Sequence, residues 1–155
     1  MMPLDIGDRL PDMTFATDGG GEISTASLRV RNSILYFYPK DNTSGCTAEA
    51  CDFRDAVEDF RTVNDTVIGV SKDSVRKHDH FKEKNNLPFT LISDEDGTLC
   101  ELFGVWQEKK LYGRTYMGIE RSTFLIDEVG VVREAWRKVR VKGHVAAVLV
   151  VAQAL

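Results

Sequence analysis

Six consecutive residues, Ser33-Ile34-Leu35-Tyr36-Phe37-Tyr38, carry no charge and stop at Pro39. A strand with one face in water alternates apolar and polar residues. This run does not alternate, so it reads as a strand buried on both faces. Proline has no N–H for a sheet ladder, which suits the end of a strand. A sheet buried on both faces needs a layer above and a layer below it.

The remaining patterns supply those layers. Residues 40–45 form a polar loop ending in Gly45, and residues 47–63 take a helical period, with Phe53, Val57 and Phe60 spaced by four and three. Residues 67–70 read as a second strand. Asp73-Ser74 can cap a helix over 75–86, which Leu87-Pro88 ends. Residues 89–92 read as a third strand, 94–97 as a turn and 98–103 as a short helix. Residues 121–126 and 131–136 read as a hairpin around the turn 127–130, and 143–155 as a terminal helix. The order β-α-β-α-β-α-β-β-α predicts an α/β fold with a mixed central sheet and helices on both faces. Residues 1–30 are expected to add an N-terminal hairpin at one edge. No linker interrupts the 155 residues, which predicts one domain over 1–155.

Twenty Lys and Arg against 24 Asp and Glu give a net charge of −4, so no basic excess is available for nucleic acid. The N-terminus Met1-Met2-Pro3-Leu4-Asp5 has neither a basic start nor an apolar run, and the longest apolar run, 145–152, is too short for a membrane span. A cytoplasmic chain with no membrane role is the expectation. Three cysteines, an odd number, argue against a static disulfide framework there. They are buried bystanders or working thiols.

Cys46 falls in the first turn of the helix that follows the buried strand. The unpaired N–H groups and the dipole at that end favour a thiolate, the nucleophilic form of cysteine. Thr43 can place a hydroxyl near the sulfur, and Pro39 can shield it. Cys51 follows five residues later, about 140° around and about 7.5 Å along an intact helix. A disulfide needs Cα atoms closer than about 7 Å with converging Cβ vectors. A bond between Cys46 and Cys51 therefore requires the first turns to unwind.

The segment from Tyr36 to Cys51, YFYPKDNTSGCTAEAC, resembles the active-site segment of the Q-type peroxiredoxins, also called bacterioferritin comigratory proteins. Pro39, Thr43 and Cys46 match the family pattern Pro-x-x-x-Thr-x-x-Cys, and Cys-x-x-x-x-Cys to Cys51 marks one subgroup. Similar stretches continue at residues 91–94, 103–106, 118–127 and 142–144, in order along nearly the whole chain. The resemblance implies a thioredoxin-like fold and a thiol peroxidase for hydrogen peroxide and small organic hydroperoxides. Cys46 would be the peroxidatic thiolate and Cys51 the resolving thiol. Thr43 would bind the peroxide, with the backbone N–H groups around Gly45 and Cys46 and a fixed cation from Arg121. Thioredoxin or a glutaredoxin would reduce the disulfide, and no metal or organic cofactor is needed. Glu49 also matches the subgroup, without a role that the pattern specifies. One departure stands out: Ser44 occupies the place of the usual proline, from which a looser loop and a slower or less selective pocket are expected.

Other readings stand beside these. Cys51 on an apolar helix face is also plain core material. Cys100, beside Leu99 and Leu102, reads as buried and silent, and as the substitute resolver if Cys51 is idle. His78 and His80, two apart on a helix, read as surface residues, and Trp106 and Trp136 as packing. The basic run 137–142 reads as a solvated strand edge. The terminal helix has no charge; either every side is covered or it presents an apolar patch, for which self-association as a weak homodimer is the hypothesis and a monomer the alternative. A peroxide-responsive sensor or holdase would use the same cysteines. A dithiol oxidoreductase is disfavoured because Cys-x-x-Cys is missing.

Overall fold

The computed structural model describes residues 2–155. Its elements are β1 (Thr14–Ala16), β2 (Glu22–Ser24), α1 (Thr25–Leu28), β3 (Asn32–Phe37), α2 (Ser44–Thr62), β4 (Asp65–Ser71), α3 (Val75–Asn85) and β5 (Thr90–Ser93). There follow α4 (Thr98–Leu102), β6 (Trp106–Leu111), β7 (Arg114–Ile119), β8 (Ser122–Ile126), β9 (Val132–Trp136) and α5 (His144–Ala154). Five strands form one sheet in the order β5-β4-β3-β8-β9. β3, β4 and β5 run parallel, and β8 and β9 are antiparallel additions. This is the mixed α/β sheet expected.

β3 lies at the centre of the sheet because its side chains are apolar on both faces. Ile34 and Tyr36 enter a core with Phe53 and Phe60 of α2, Phe81 of α3 and Val148 of α5. Leu35 and Phe37 enter the opposite core with Leu28, Leu99, Phe103 and Phe124. Helices therefore cover both faces. β1 and β2 pair as the N-terminal hairpin, and Thr17 bridges Ile92 on β5, an edge strand.

Four expectations change. The helix after β3 begins at Ser44, three residues earlier than expected, because Thr43 takes the extended N-cap conformation. Ser44 is thus the first helical residue. Residues 106–119 form a hairpin, β6–β7, that the pattern did not suggest. Its register closes on Tyr112 and Gly113 at φ 50° and 77°, a two-residue turn with both φ values positive. Only its base is anchored, by Ile119 and half-buried Trp106, and its charged strands give no clean alternation. His78 is fully buried and not on the surface, whereas His80 is exposed. The basic run lies beyond the end of β9, and Arg137 donates to the carbonyls of Phe103 at 2.9 Å and Leu4 at 3.0 Å, which ties down the N-terminal segment. The terminal helix is covered on one side, through Val145, Val148 and Ala152, while Ala147 and Val150 face outward. Among the described residues no helix is long and apolar enough to cross a membrane.

Candidate active site

The site is assembled where β3 ends. Phe37 pairs with Ser122, so the residue preceding β8, Arg121, stands beside the point where the chain leaves the sheet. The chain passes Pro39, takes a left-handed conformation at Asn42 (φ 65°) and enters α2 through Thr43. The Thr47 N–H reaches the Thr43 carbonyl at 2.9 Å, which closes the first turn. Thr43 makes no side-chain cap; its hydroxyl donates to the Lys40 carbonyl at 3.0 Å. The leading N–H groups of α2 therefore keep their positive potential without a side-chain acceptor from the N-cap. The Thr43 oxygen retains lone pairs with which to accept.

Cys46 is the third residue of α2 and is buried, at 1% exposure. Arg121 Nη2 donates to Cys46 Sγ at 3.3 Å, and Nη1 donates to Glu49 Oε1 at 2.6 Å. Glu49 lies one turn after Cys46, so a single guanidinium spans both side chains. A Cβ on Gly45 would stand 3.4 Å from Arg121 Nη2, which places Gly45 against the guanidinium. Burial opposes the charge on Arg121, but Glu49 and Cys46 together hold it protonated and raise its value. Burial, partly offset by Arg121, pushes the Glu49 carboxyl up to about 7. Its Oε2 and the Tyr36 hydroxyl are both buried without a hydrogen-bond partner.

The structure thus brings Cys46, Arg121 and Gly45 together at the head of α2, with Thr43 exposed at the rim and half-buried Pro39 at the entry to the loop. It does not bring Cys51 to Cys46. Both lie in one continuous helix as free thiols, and Cys51 is half-buried on another side of it. Cys100 is fully buried in α4.

Three further neighbours were not assigned from sequence. Glu49 had the right pattern but no partner until β8 brought Arg121 to it. His144 shares a 2.7 Å hydrogen bond with Thr123, and burial with the Arg121 charge lowers it to about 4, so it is neutral. Lys109 on β6 has its value lowered by burial and by Arg121. Its stem packs against Gly118, 3.2 Å from where a Cβ would stand. Lysine in a charged hairpin carries no sequence signal for such a place.

Residues 6–135 match the AhpC/TSA family. The Bacillus subtilis protein named peroxiredoxin Bcp is 51% identical over 148 residues, which span 96% of this chain and 94% of that one. A cysteine-to-serine variant of the Xylella fastidiosa peroxiredoxin Q superposes with a TM-score of 0.94 at 40% identity, over 99% of this chain and 98% of that one. The bacterioferritin comigratory protein of Xanthomonas campestris, solved in connection with its alkyl peroxide reduction activity, gives 0.87 at 42% identity, over 92% and 90%.

Proposed function

Because the chain belongs to the AhpC/TSA family and, within it, to the Bcp or Q-type peroxiredoxins, we propose that it is a thiol peroxidase in which Cys46 reduces hydrogen peroxide and small organic hydroperoxides. The observation that carries this reading is the Arg121 guanidinium on Cys46 Sγ at 3.3 Å, at a helix N-terminus without a side-chain cap. A fixed cation and oriented N–H groups favour the thiolate over the thiol.

The steps follow from that geometry. The Cys46 thiolate attacks one peroxide oxygen, the S–O bond forms and the O–O bond breaks. Sulfur is oxidised by two electrons to the sulfenic acid, and the other oxygen leaves as water or an alcohol after taking up a proton. Thr43 accepts a hydrogen bond from the peroxide O–H, while Arg121 and the N–H groups near Gly45 and Cys46 stabilise the developing negative charge. Pro39 closes the loop side of the pocket. The Cys51 sulfur then attacks the sulfenic sulfur, the S–S bond forms and the S–O bond breaks, and the sulfenic hydroxyl leaves as water with the proton given up by the Cys51 thiol.

That second step requires the head of α2 to open. A first turn without a side-chain cap and with Gly45 in it is a weak helix start, since glycine has the most backbone freedom to regain on opening. Thioredoxin or a glutaredoxin then reduces the disulfide by thiol exchange. In this reading the enzyme is a cytoplasmic single domain over 1–155. It is a monomer or a weak homodimer through the outward side of α5; an unchanged mass by light scattering in Val150→Lys would remove the homodimer reading.

The test is coupled peroxide turnover with thioredoxin and its reductase. Wild type is expected to turn over continuously, Cys46→Ser not at all, and Cys51→Ser for one oxidation before stalling. Continuous turnover by Cys46→Ser would overturn the assignment.

A further inference from the structure

His78 of α3 takes no part in the steps above, yet it is fully buried. Both ring nitrogens face acceptors. Nε2 lies 2.9 Å from the Ile92 carbonyl and Nδ1 lies 2.7 Å from Asp41 Oδ2. A carbonyl oxygen can only accept, so Nε2 carries a hydrogen. The Nδ1 contact then needs a second hydrogen between the ring and Asp41. Tyr38 donates its hydroxyl to the other Asp41 oxygen at 2.6 Å. The Asp41 N–H donates to Asp73 Oδ2 at 2.9 Å, and Ser71 donates to that same oxygen at 2.6 Å.

The cluster therefore holds one proton between His78 and Asp41. Separated residues near neutral pH, with values of about 6.5 and 3.9, would mostly not hold it. The groups facing His78 are Asp41 from the loop, Tyr38 from the end of β3, Asp73 from the turn before α3 and the Ile92 carbonyl from β5. Burial works against the imidazolium, but the Asp41 hydrogen bond and charge, the Ile92 carbonyl and Asp73 outweigh it and raise its value.

Asp41 lies between Pro39 and Thr43, inside the segment that leads to Cys46. Asp41 is buried, whereas Asn42, Thr43 and Ser44 are exposed. The left-handed Asn42 marks the joint between the two halves. We propose that Tyr38, Asp41 and His78 are positioning residues for the Cys46 reaction, anchoring residues 38–41 while residues 43–51 open for the disulfide and close again. Thr43 then returns to the same place after each turnover. The proposal rests on the peroxidase reading. A histidine raised on folding gives its full support below the unfolded value of about 6.5 and loses it as pH climbs through the folded value. The anchor therefore slackens on the alkaline side.

Two readouts on the reduced full-length protein test this. Long-range ¹H–¹⁵N correlation at pH 7 is expected to show both His78 nitrogens protonated, with the signals assigned by their loss in His78→Gln. Stopped-flow oxidation by hydrogen peroxide is expected to slow about ten- to hundredfold in His78→Gln and in the milder Tyr38→Phe, through misplacement of the loop. The disulfide step is expected not to slow, and the wild-type fall in oxidation rate at alkaline pH is expected to vanish in His78→Gln. A singly protonated His78 beside an ionised Asp41 at pH 7, with no proton held between them, would overturn the proposal. So would a folded Tyr38→Phe or His78→Gln that reacts at the wild-type rate. If peroxide fails to oxidise the wild type itself, the peroxidase reading falls and takes this proposal with it; unchanged variants beside an active wild type overturn the proposal alone.

Discussion

Cys46 and Cys100 are a controlled pair within one molecule. Each is the third residue of a helix, Cys46 in α2 and Cys100 in α4, and each is buried, at 1% and 0% exposure. Their side-chain neighbours have opposite charge. Cys46 receives the Arg121 guanidinium at 3.3 Å. Cys100 sits by the Asp94 carboxylate, whose oxygens take the N–H groups of Leu99 at 3.0 Å and Cys100 at 2.8 Å. Burial, then the Asp94 charge and hydrogen bond, push the Cys100 thiol far up. The first turn of α4 is occupied by a protein anion, while that of α2 lacks a side-chain cap. In the proposed reading, a helix N-terminus alone does not make a reactive thiol; the side chain beside it decides.

The sharpest way to break the contrast is to remove the cation. Arg121→Ala is expected to lower the rate of Cys46 oxidation by peroxide about 10²- to 10³-fold, the usual cost of losing one charge-stabilising donor. Arg121→Lys should recover part of it, since lysine keeps the charge but not the fork that reaches both Cys46 and Glu49. An Arg121→Ala enzyme oxidised at the wild-type rate would erase the distinction between the two cysteines.

Glu49 sharpens the comparison through pH. Its carboxyl rises from 4.5 to about 7 on folding. A group raised on folding supports the folded state at low pH and withdraws that support as pH rises. Stability carried by this group should therefore be full below pH 4.5 and fall by about 3 kcal/mol through pH 7. Denaturant midpoints from pH 5 to 8 should show that fall in wild type and a flatter curve in Glu49→Gln. Identical slopes would mean that the buried carboxyl does not titrate in this range.

Ser44 offers a smaller effect. Thr43 at φ −80°, ψ 153° already has the conformation a following proline requires, and position 44 is the first of the helix. Ser44→Pro is expected to stabilise the fold by about 0.4–1 kcal/mol and to slow the disulfide step by stiffening the turn that must open. An unchanged denaturant midpoint and disulfide rate would contradict this. The smallest expected effect is that of Cys100→Ala, which should leave peroxide turnover unchanged; a loss of turnover would mean that Cys100 takes part.

The fold was legible where burial imposes a pattern. The uncharged strand ending at Pro39, the helical period through Phe53, Val57 and Phe60, and the hairpin of β8 and β9 all bury a defined face. The protruding β6–β7 hairpin buries little beyond its base, so it left no such trace. The site divides in the same way. Cys46 at the head of a helix follows from local sequence, whereas Arg121 lies 75 residues away and only the family resemblance points to it. The register of β8 on β3, with Phe37 opposite Ser122, is what brings it in. The sequence puts His78 on the surface because Lys77, Asp79 and His80 around it are polar, while its partner Asp41 lies 37 residues upstream in a loop.

The central claim is that a buried, arginine-held Cys46 is oxidised first and that α2 then opens to deliver Cys51. The most direct test adds one equivalent of hydrogen peroxide to reduced protein, blocks the remaining thiols and maps the peptides without reduction. A Cys46–Cys51 disulfide with Cys100 alkylated is the expected result. A Cys46–Cys100 linkage, a sulfenic acid persisting on Cys46, or an unoxidised Cys46 would contradict it.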